Sequence, residues 1–287
     1  MKLFQNTTII GVGLLGGSLA KACREQGLTE SITGYGRNQD NLQEAKRQGV
    51  IDKAAPDIHS AVKDADLIIL CSPVGVMIPL VREMTSSLKP GCLITDAGSV
   101  KGALVSEIES LIPETTYFVG AHPIAGGERS GLGASSATLL KDANCIVTPT
   151  ANTSKEALQK ITQLWEGVGM NIITMDVDEH DFIFGAVSHL PHVVAFALMV
   201  TLGDIHTKNY DDITTFSGAG LKDITRIASS DPVMWRDIFL SNQKQVLLLI
   251  DQFQVTLTKL KEWIEKSEGQ NLEQSFKAAN KYRLNLT

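Results

Sequence analysis

Gly11-Val12-Gly13-Leu14-Leu15-Gly16-Gly17-Ser18 follows a β-rich run from Leu3 to Ile10 and precedes a helical pattern from Leu19 to Gln26. Strand, glycine turn and helix in that order open a Rossmann-type unit. The spacing Gly11-x-Gly13-x-x-Gly16 has a mechanical reason: the first glycine permits a tight turn, the second lets backbone approach a pyrophosphate, and the third lets helix lie against strand. Gly11, Gly13, Leu14, Leu15 and Gly16 are therefore assigned to a dinucleotide, with helix N-terminal amides on its phosphates. A plain βα turn is the alternative. Lys2 and the apolar residues from Ile9 to Leu19 superficially mimic a secretory signal, but five glycines and serines interrupt them.

The second strand, Ser31 to Tyr35, should end in the acidic residue that holds an adenosine ribose 2′-hydroxyl. It runs instead into Gly36-Arg37-Asn38. A small residue stands where Asp or Glu would repel a 2′-phosphate, and Arg37 can pair with one, which favours NADP over NAD. If Arg37 only stacks on adenine, both cofactors are used.

Further strands are predicted at Asp66–Cys71, Cys92–Asp96, Tyr117–Ala121, Cys145–Thr148 and Asn171–Met175. Leu67 to Leu70 is continuously apolar, as in a strand covered on both faces, so the sheet is read as doubly wound. Ligands of such sheets bind beyond the carboxyl ends of strands. Three segments follow those ends: Ser72-Pro73, assigned to the cofactor, Asp96 to Lys101, and His122 to Glu128.

From Asp176 onward strand signals give way to amphipathic helices. The expected division is 1–174, a nucleotide-binding Rossmann domain, and 175–287, an all-α substrate-binding and dimerisation domain. Asp231-Pro232 supplies an N-cap and a first-turn proline, and Val246, Leu249, Ile250, Phe253, Leu257, Leu260 and Ile264 form one stripe on a long helix. So few helical residues cannot cover that much apolar surface alone, and a homodimer through this domain is expected. A net charge of −6 with 20% charged residues argues against a nucleic-acid surface. The four cysteines form no CxxC pair and are read as reduced thiols. No segment after the N-terminus reads as the ~18 uncharged apolar residues of a membrane span, so a cytoplasmic protein with no membrane partner is expected.

Two histidine-bearing segments stand out, His122-Pro123-Ile124-Ala125-Gly126 and Ser188-His189-Leu190-Pro191-His192, the latter placed early in the first helix of the second domain. His122, ending a strand at the ligand edge of the sheet, can serve as a base as neutral imidazole. His189 and His192 would bind a metal only with further ligands, and only His180 and Asp181 lie nearby in sequence, so no metal is assigned. Gly218 to Arg226 is a glycine-rich start to a helix bearing Arg226, suited to bidentate capture of a carboxylate or to a surface ion pair.

GVGLLGGS, LCSPV, DAGSVK, GAHPIAG, SHLPH, GLKDITRIA and DPVMWRDIF, in this order from Ile9 to about Phe239, resemble the prephenate/arogenate dehydrogenase family. The resemblance implies oxidative decarboxylation of a cyclohexadienyl acid with NADP or NAD. It assigns His122 as acceptor of the 4-hydroxyl proton and Ser99 as the residue that orients that hydroxyl and the nicotinamide. It assigns Arg226 to a substrate carboxylate, with His192, Ser188 and His189 lining the pocket. Glu128 and Asp223 would join a polar network at the pocket mouth, and Trp235 and Arg236 would approach the partner subunit's pocket. Gly127 replaces a hydroxyl residue found in some relatives, which removes one donor there. A β-hydroxy acid or imine-reducing dehydrogenase is the rival enzyme, but the former would present a lysine and asparagines where this chain has Ser188, His189 and His192. A non-catalytic NADP sensor is the rival from another class, and it would not need His122, Ser99 and Arg226 together.

Overall fold

The computed structural model describes residues 2–127 and 129–286. One eight-stranded sheet, in the order β3-β2-β1-β4-β5-β6-β7-β8, comprises β1 Phe4–Ile10, β2 Thr29–Tyr35, β3 Lys53–Ala54, β4 Leu67–Leu70, β5 Leu93–Asp96, β6 Tyr117–Pro123, β7 Asn144–Thr148 and β8 Asn171–Thr174. Helices α1 Leu14–Glu25, α2 Gln39–Arg47, α3 Ile58–Val62, α4 Val74–Met84, α5 Gly102–Leu111 and α6 Lys155–Gly167 connect the strands. Two buried clusters, one including Ile9, Ile69 and Trp165, the other Ile10, Ile68 and Ile94, show alternate residues of the same strands feeding opposite faces. The expected class, a doubly wound sheet followed by helices, is the observed one.

Besides β2 starting at Thr29 rather than Ser31, two strand details differ from the sequence reading. The two-residue β3 is too short to leave a periodic signal. β6 runs two residues past Ala121, because its first half pairs in parallel with β5 and its second half, Gly120 to Pro123, pairs antiparallel with β7. His122 therefore lies inside a strand, opposite Ile146, with its backbone held on a ladder.

The helical part contains α7 Val177–Phe184, α8 Leu190–Gly203, α9 Ala219–Thr225, α10 Pro232–Ser241, α11 Gln243–Glu265 and α12 Gly269–Arg283. Ser188 to His192 is not early in a helix. Asp176 caps α7 with bonds to Asp178 N and Glu179 N, and one helical run continues through a π-turn at Gly185–His189 into α8. Leu190 N reaches back to Gly185 O there, and Pro191, lacking an N–H, follows immediately.

This run, Val177–Gly203, is 27 residues long, its most apolar 18-residue window has a mean hydropathy of 1.8, and it is long and apolar enough to cross a membrane by length and composition. That corrects the expectation that no segment reaches such a length; the interruptions Ser188, His189, Pro191 and His192 hid it. Within the fold the helix carries the fully buried His180 and the buried Asp181 and His189, which a lone span in lipid would leave unsatisfied. The stripe on α11 is buried at Val246 and Leu249 but emerges at Leu257 and Ile264, 48% and 64% exposed.

Candidate active site

The glycine turn fits a dinucleotide. Gly11 has φ +97°, and a Cβ there would stand 2.7 Å from Cys71 O, so only glycine serves. A Cβ on Gly13 would meet nothing within 4 Å, leaving open space in front of a helix start that no side chain caps. Half-buried Leu14 and Leu15 begin that helix, and Leu15 packs on the sheet core. The Ser72 hydroxyl, just beyond β4, is buried without a partner among the described residues, as a group awaiting a ligand would be. Pro73 beside it is the N-cap of α4, and Arg37 is exposed just beyond the end of β2.

His122 sits at the end of a hydrogen-bonded chain that the sequence reading missed. Asp181 Oδ1 and Oδ2 accept from the amides of Lys101 and Gly102 at 2.8 and 2.7 Å, which fixes the carboxylate at the start of α5. His180 Nδ1 lies 2.8 Å from Asp181 Oδ1, and His180 Nε2 lies 2.9 Å from His122 Nδ1. The Asp181 carboxyl is held below the usual carboxylate range, against the opposing effect of burial, by His180 and the two amides. His180 is pushed down, first by burial. His180 Nδ1–H donates to the ionised Asp181, His122 Nδ1–H donates to the bare His180 Nε2, and His122 Nε2 keeps a free lone pair. Phe184 packs edge-on against the His122 ring at 4.6 Å.

Under this chain lies a fully buried ion pair, Lys101 Nζ with Asp96. Asp96 also accepts from Ala121 N at 3.0 Å and Gly98 N at 2.8 Å, so β5, β6 and the DAGSVK loop are joined at one carboxylate. Burial first, then the Lys101 charge, holds His122 well below the ordinary histidine value. The imidazole is therefore neutral at pH 7. Ser99 is half-buried in the same loop and is not the cap of α5, whose N-cap is Lys101.

The helical residues gather around Trp235. His192 stacks on its ring with centroids 3.4 Å apart, and His189 meets it edge-on at 6.0 Å. Trp235 is thus buried against histidines of its own chain, whereas Arg236 is exposed and paired with Asp237. His192 Nδ1 donates to Ser188 O at 2.8 Å. The His192 pKa is lowered, first by burial and also by the nearby Arg226 charge, which puts that guanidinium in the same region. Arg226 begins a turn just after α9 rather than lying within the helix. Asp223 is exposed on α9 and has no bond to these histidines among the described residues. Glu128 lies outside the described residues. Asp96 and Lys101 lie in a segment that the sequence reading places at the ligand edge of the sheet, but their pairing does not show in it; His180 and Asp181 gave no local signal beyond residue type, since Asp181 is 80 residues from the amide it binds.

Two family models match the chain: the nucleotide-binding domain of prephenate dehydrogenase over residues 19–174, and its dimerization domain over residues 176–278. The chain is 35% identical to a prephenate dehydrogenase of Bacillus subtilis over 99% of its own length and 76% of that protein. It is 34% identical to a cyclohexadienyl dehydrogenase of Zymomonas mobilis over 100% of this chain and 97% of the relative. The crystal structure of the Aquifex aeolicus prephenate dehydrogenase in complex with hydroxyphenyl propionate and NAD+ superposes with a TM-score of 0.92 at 39% identity, covering 99% of this chain and 98% of that one. With both halves matched, and a glycine turn and a neutral histidine both at the carboxyl edge of the sheet, the chain belongs to the prephenate dehydrogenase family.

Proposed function

We propose that the chain oxidises and decarboxylates prephenate or arogenate with a nicotinamide dinucleotide, giving 4-hydroxyphenylpyruvate or tyrosine. The observation that carries this reading is the Asp181–His180–His122 chain, which leaves a neutral base with one free lone pair. The nicotinamide, when bound, takes the hydride from the ring carbon that carries the 4-hydroxyl. His122 Nε2 accepts the proton of that hydroxyl as its oxygen becomes a carbonyl, and Asp181, through His180, favours the imidazolium so formed. Loss of the ring carboxylate as CO2 then makes the ring aromatic. Ser99 orients the hydroxyl, Arg226 binds a carboxylate, and Ser188, His189, His192 and Trp235 line the pocket, with Asp223 at its mouth.

In this reading residues 1–174 hold the nucleotide, and residues 175–287 supply the substrate pocket and a homodimer surface. Arg37, exposed after Gly36 where an acidic residue would repel a 2′-phosphate, favours NADP, although the Aquifex aeolicus relative carries NAD+. Four free thiols suit a reducing, cytoplasmic compartment. Initial rates of NADP and NAD reduction with prephenate and arogenate, in all four combinations, test the proposal. Turnover in at least one is expected, and none in any would overturn it. The preferred pair names cofactor and substrate.

A further inference from the structure

Asn242 separates α10 from α11 and is 3% exposed. Its side-chain nitrogen lies 2.8 Å from the carbonyl oxygen of Asp181 and 3.1 Å from Nδ1 of His189. The first contact decides which way the amide faces. A backbone carbonyl only accepts, so the NH2 group and not the amide oxygen must point at Asp181. The same NH2 group faces His189, and its second hydrogen has to be donated there. Nδ1 of His189 is therefore bare, and the neutral ring carries its proton on Nε2. That nitrogen is buried and has no partner among the described residues.

We propose that Asn242 is a positioning residue that holds His189 as the neutral Nε2–H tautomer, so that the ring offers a hydrogen-bond donor to an oxygen of the bound cyclohexadienyl acid. The substrate half rests on the function proposed above; the tautomer does not. A buried N–H without an acceptor is costly to a fold, and a ligand oxygen relieves that cost. His192 has the opposite form, because its Nδ1 donates to Ser188 O and leaves Nε2 bare. The two histidines beside Trp235 thus offer one donor and one acceptor. Burial also lowers the His189 pKa to about 4, so the ring is uncharged at neutral pH. The π-turn and Gly185 allow the arrangement: a Cβ at Gly185 would stand 2.9 Å from Leu249 Cδ1 and 3.4 Å from the Asn242 nitrogen. A side chain there would crowd the end of Leu249 and stand against the Asn242 amide that bonds His189.

Nitrogen–proton NMR of the full-length wild-type protein with isotope-labelled histidine, at neutral pH, reads the tautomer directly, with His189 assigned by His189→Gln. Protonated Nε2 and bare Nδ1 are expected; protonated Nδ1 overturns the proposal without any Asn242 variant. Hydroxyphenyl propionate added with the nucleotide should shift the Nε2–H resonance, and an unmoved resonance overturns the substrate half. In Asn242→Asp the carboxylate draws the proton to Nδ1. The KM for the cyclohexadienyl acid should rise about tenfold, with the nucleotide KM within about twofold. An unchanged tautomer in that variant, or an equal rise in both KM values, overturns the assignment. Loss of the whole reading of function is seen separately, as absence of turnover in the wild-type enzyme.

Discussion

In the proposed reaction His122 serves as a base only while it is neutral and correctly tautomeric, and different neighbours secure the two conditions. Burial and Lys101 lower its pKa, whereas the Asp181–His180 chain decides which nitrogen is bare. Replacing His122 by Asn should lower kcat by about 10² to 10⁴ while leaving nucleotide binding intact, measured by steady-state rates and by fluorescence titration of the reduced cofactor. Asp181→Asn keeps the shape but no longer draws the His180 proton to Nδ1, and a loss of about a hundredfold in kcat is expected. Since the His122 pKa is lowered, kcat/KM should stay level from neutral pH downward and fall only below the ordinary histidine range. In Lys101→Met a positive charge is removed and Asp96 is left unpaired, both of which favour imidazolium, so the acid limb should move to higher pH. An acid limb that stays put in this variant would exclude Lys101 as the cause. His122 was legible in the sequence because a histidine followed a predicted strand. His180 and Asp181 read only as neighbours in sequence, and their alignment with His122 comes from packing α7 against the end of the sheet.

At the scale of the element, the π-turn at Gly185–His189 resets which side chains face inward. Heptad-like counting through Val177–Gly203 assumes one uninterrupted helix; the wider turn adds a residue and rotates everything after it. Gly185→Ala should destabilise the fold by about 1–3 kcal/mol, seen as a lower urea midpoint at unchanged m-value. The colliding atom is the end of the Leu249 side chain, which favours the lower half of that range. The same limitation applies to β6, whose extension through His122 depends on β7 arriving antiparallel beside it. A local pattern shows where a strand can form, and its partner decides where it stops.

Across the whole molecule, the two halves meet at Asp181 on the amides of Lys101 and Gly102, and in a cluster of Val74, Val100, Trp235, Ile238, Phe196 and Phe239. The helical half leaves Val187, Val200, Leu247, Leu248 and Val255 at 45–66% exposure, apolar side chains that a second copy could cover. Sedimentation should give a homodimer, and Leu247→Asp with Val255→Asp should shift it toward monomer; an unaltered dimer would place the interface elsewhere. Stability should also depend on pH. His122, His180 and His189 all have folded pKa values below the ordinary 6.5. Below that value the unfolded chain binds more protons, so their contribution is fully present above it and lost as pH falls. Each histidine that stays neutral in the fold adds a slope of about 1.4 kcal/mol per pH unit in that window. Urea midpoints that do not fall between neutral and mildly acid pH would show that the three rings are not held neutral.

The order strand, glycine turn, helix and the later change to helices were determined by the sequence alone, because glycine spacing, apolar runs and caps act over a few residues. The family resemblance was carried in the same way, by seven short motifs in order. Only the tertiary structure decided the tautomer of His122, the stacking of His192 on Trp235 and the meeting of Asn242 with His189. Those depend on groups tens of residues apart being held within hydrogen-bond distance, and a hydrogen bond constrains its partner's protons only once both are in place.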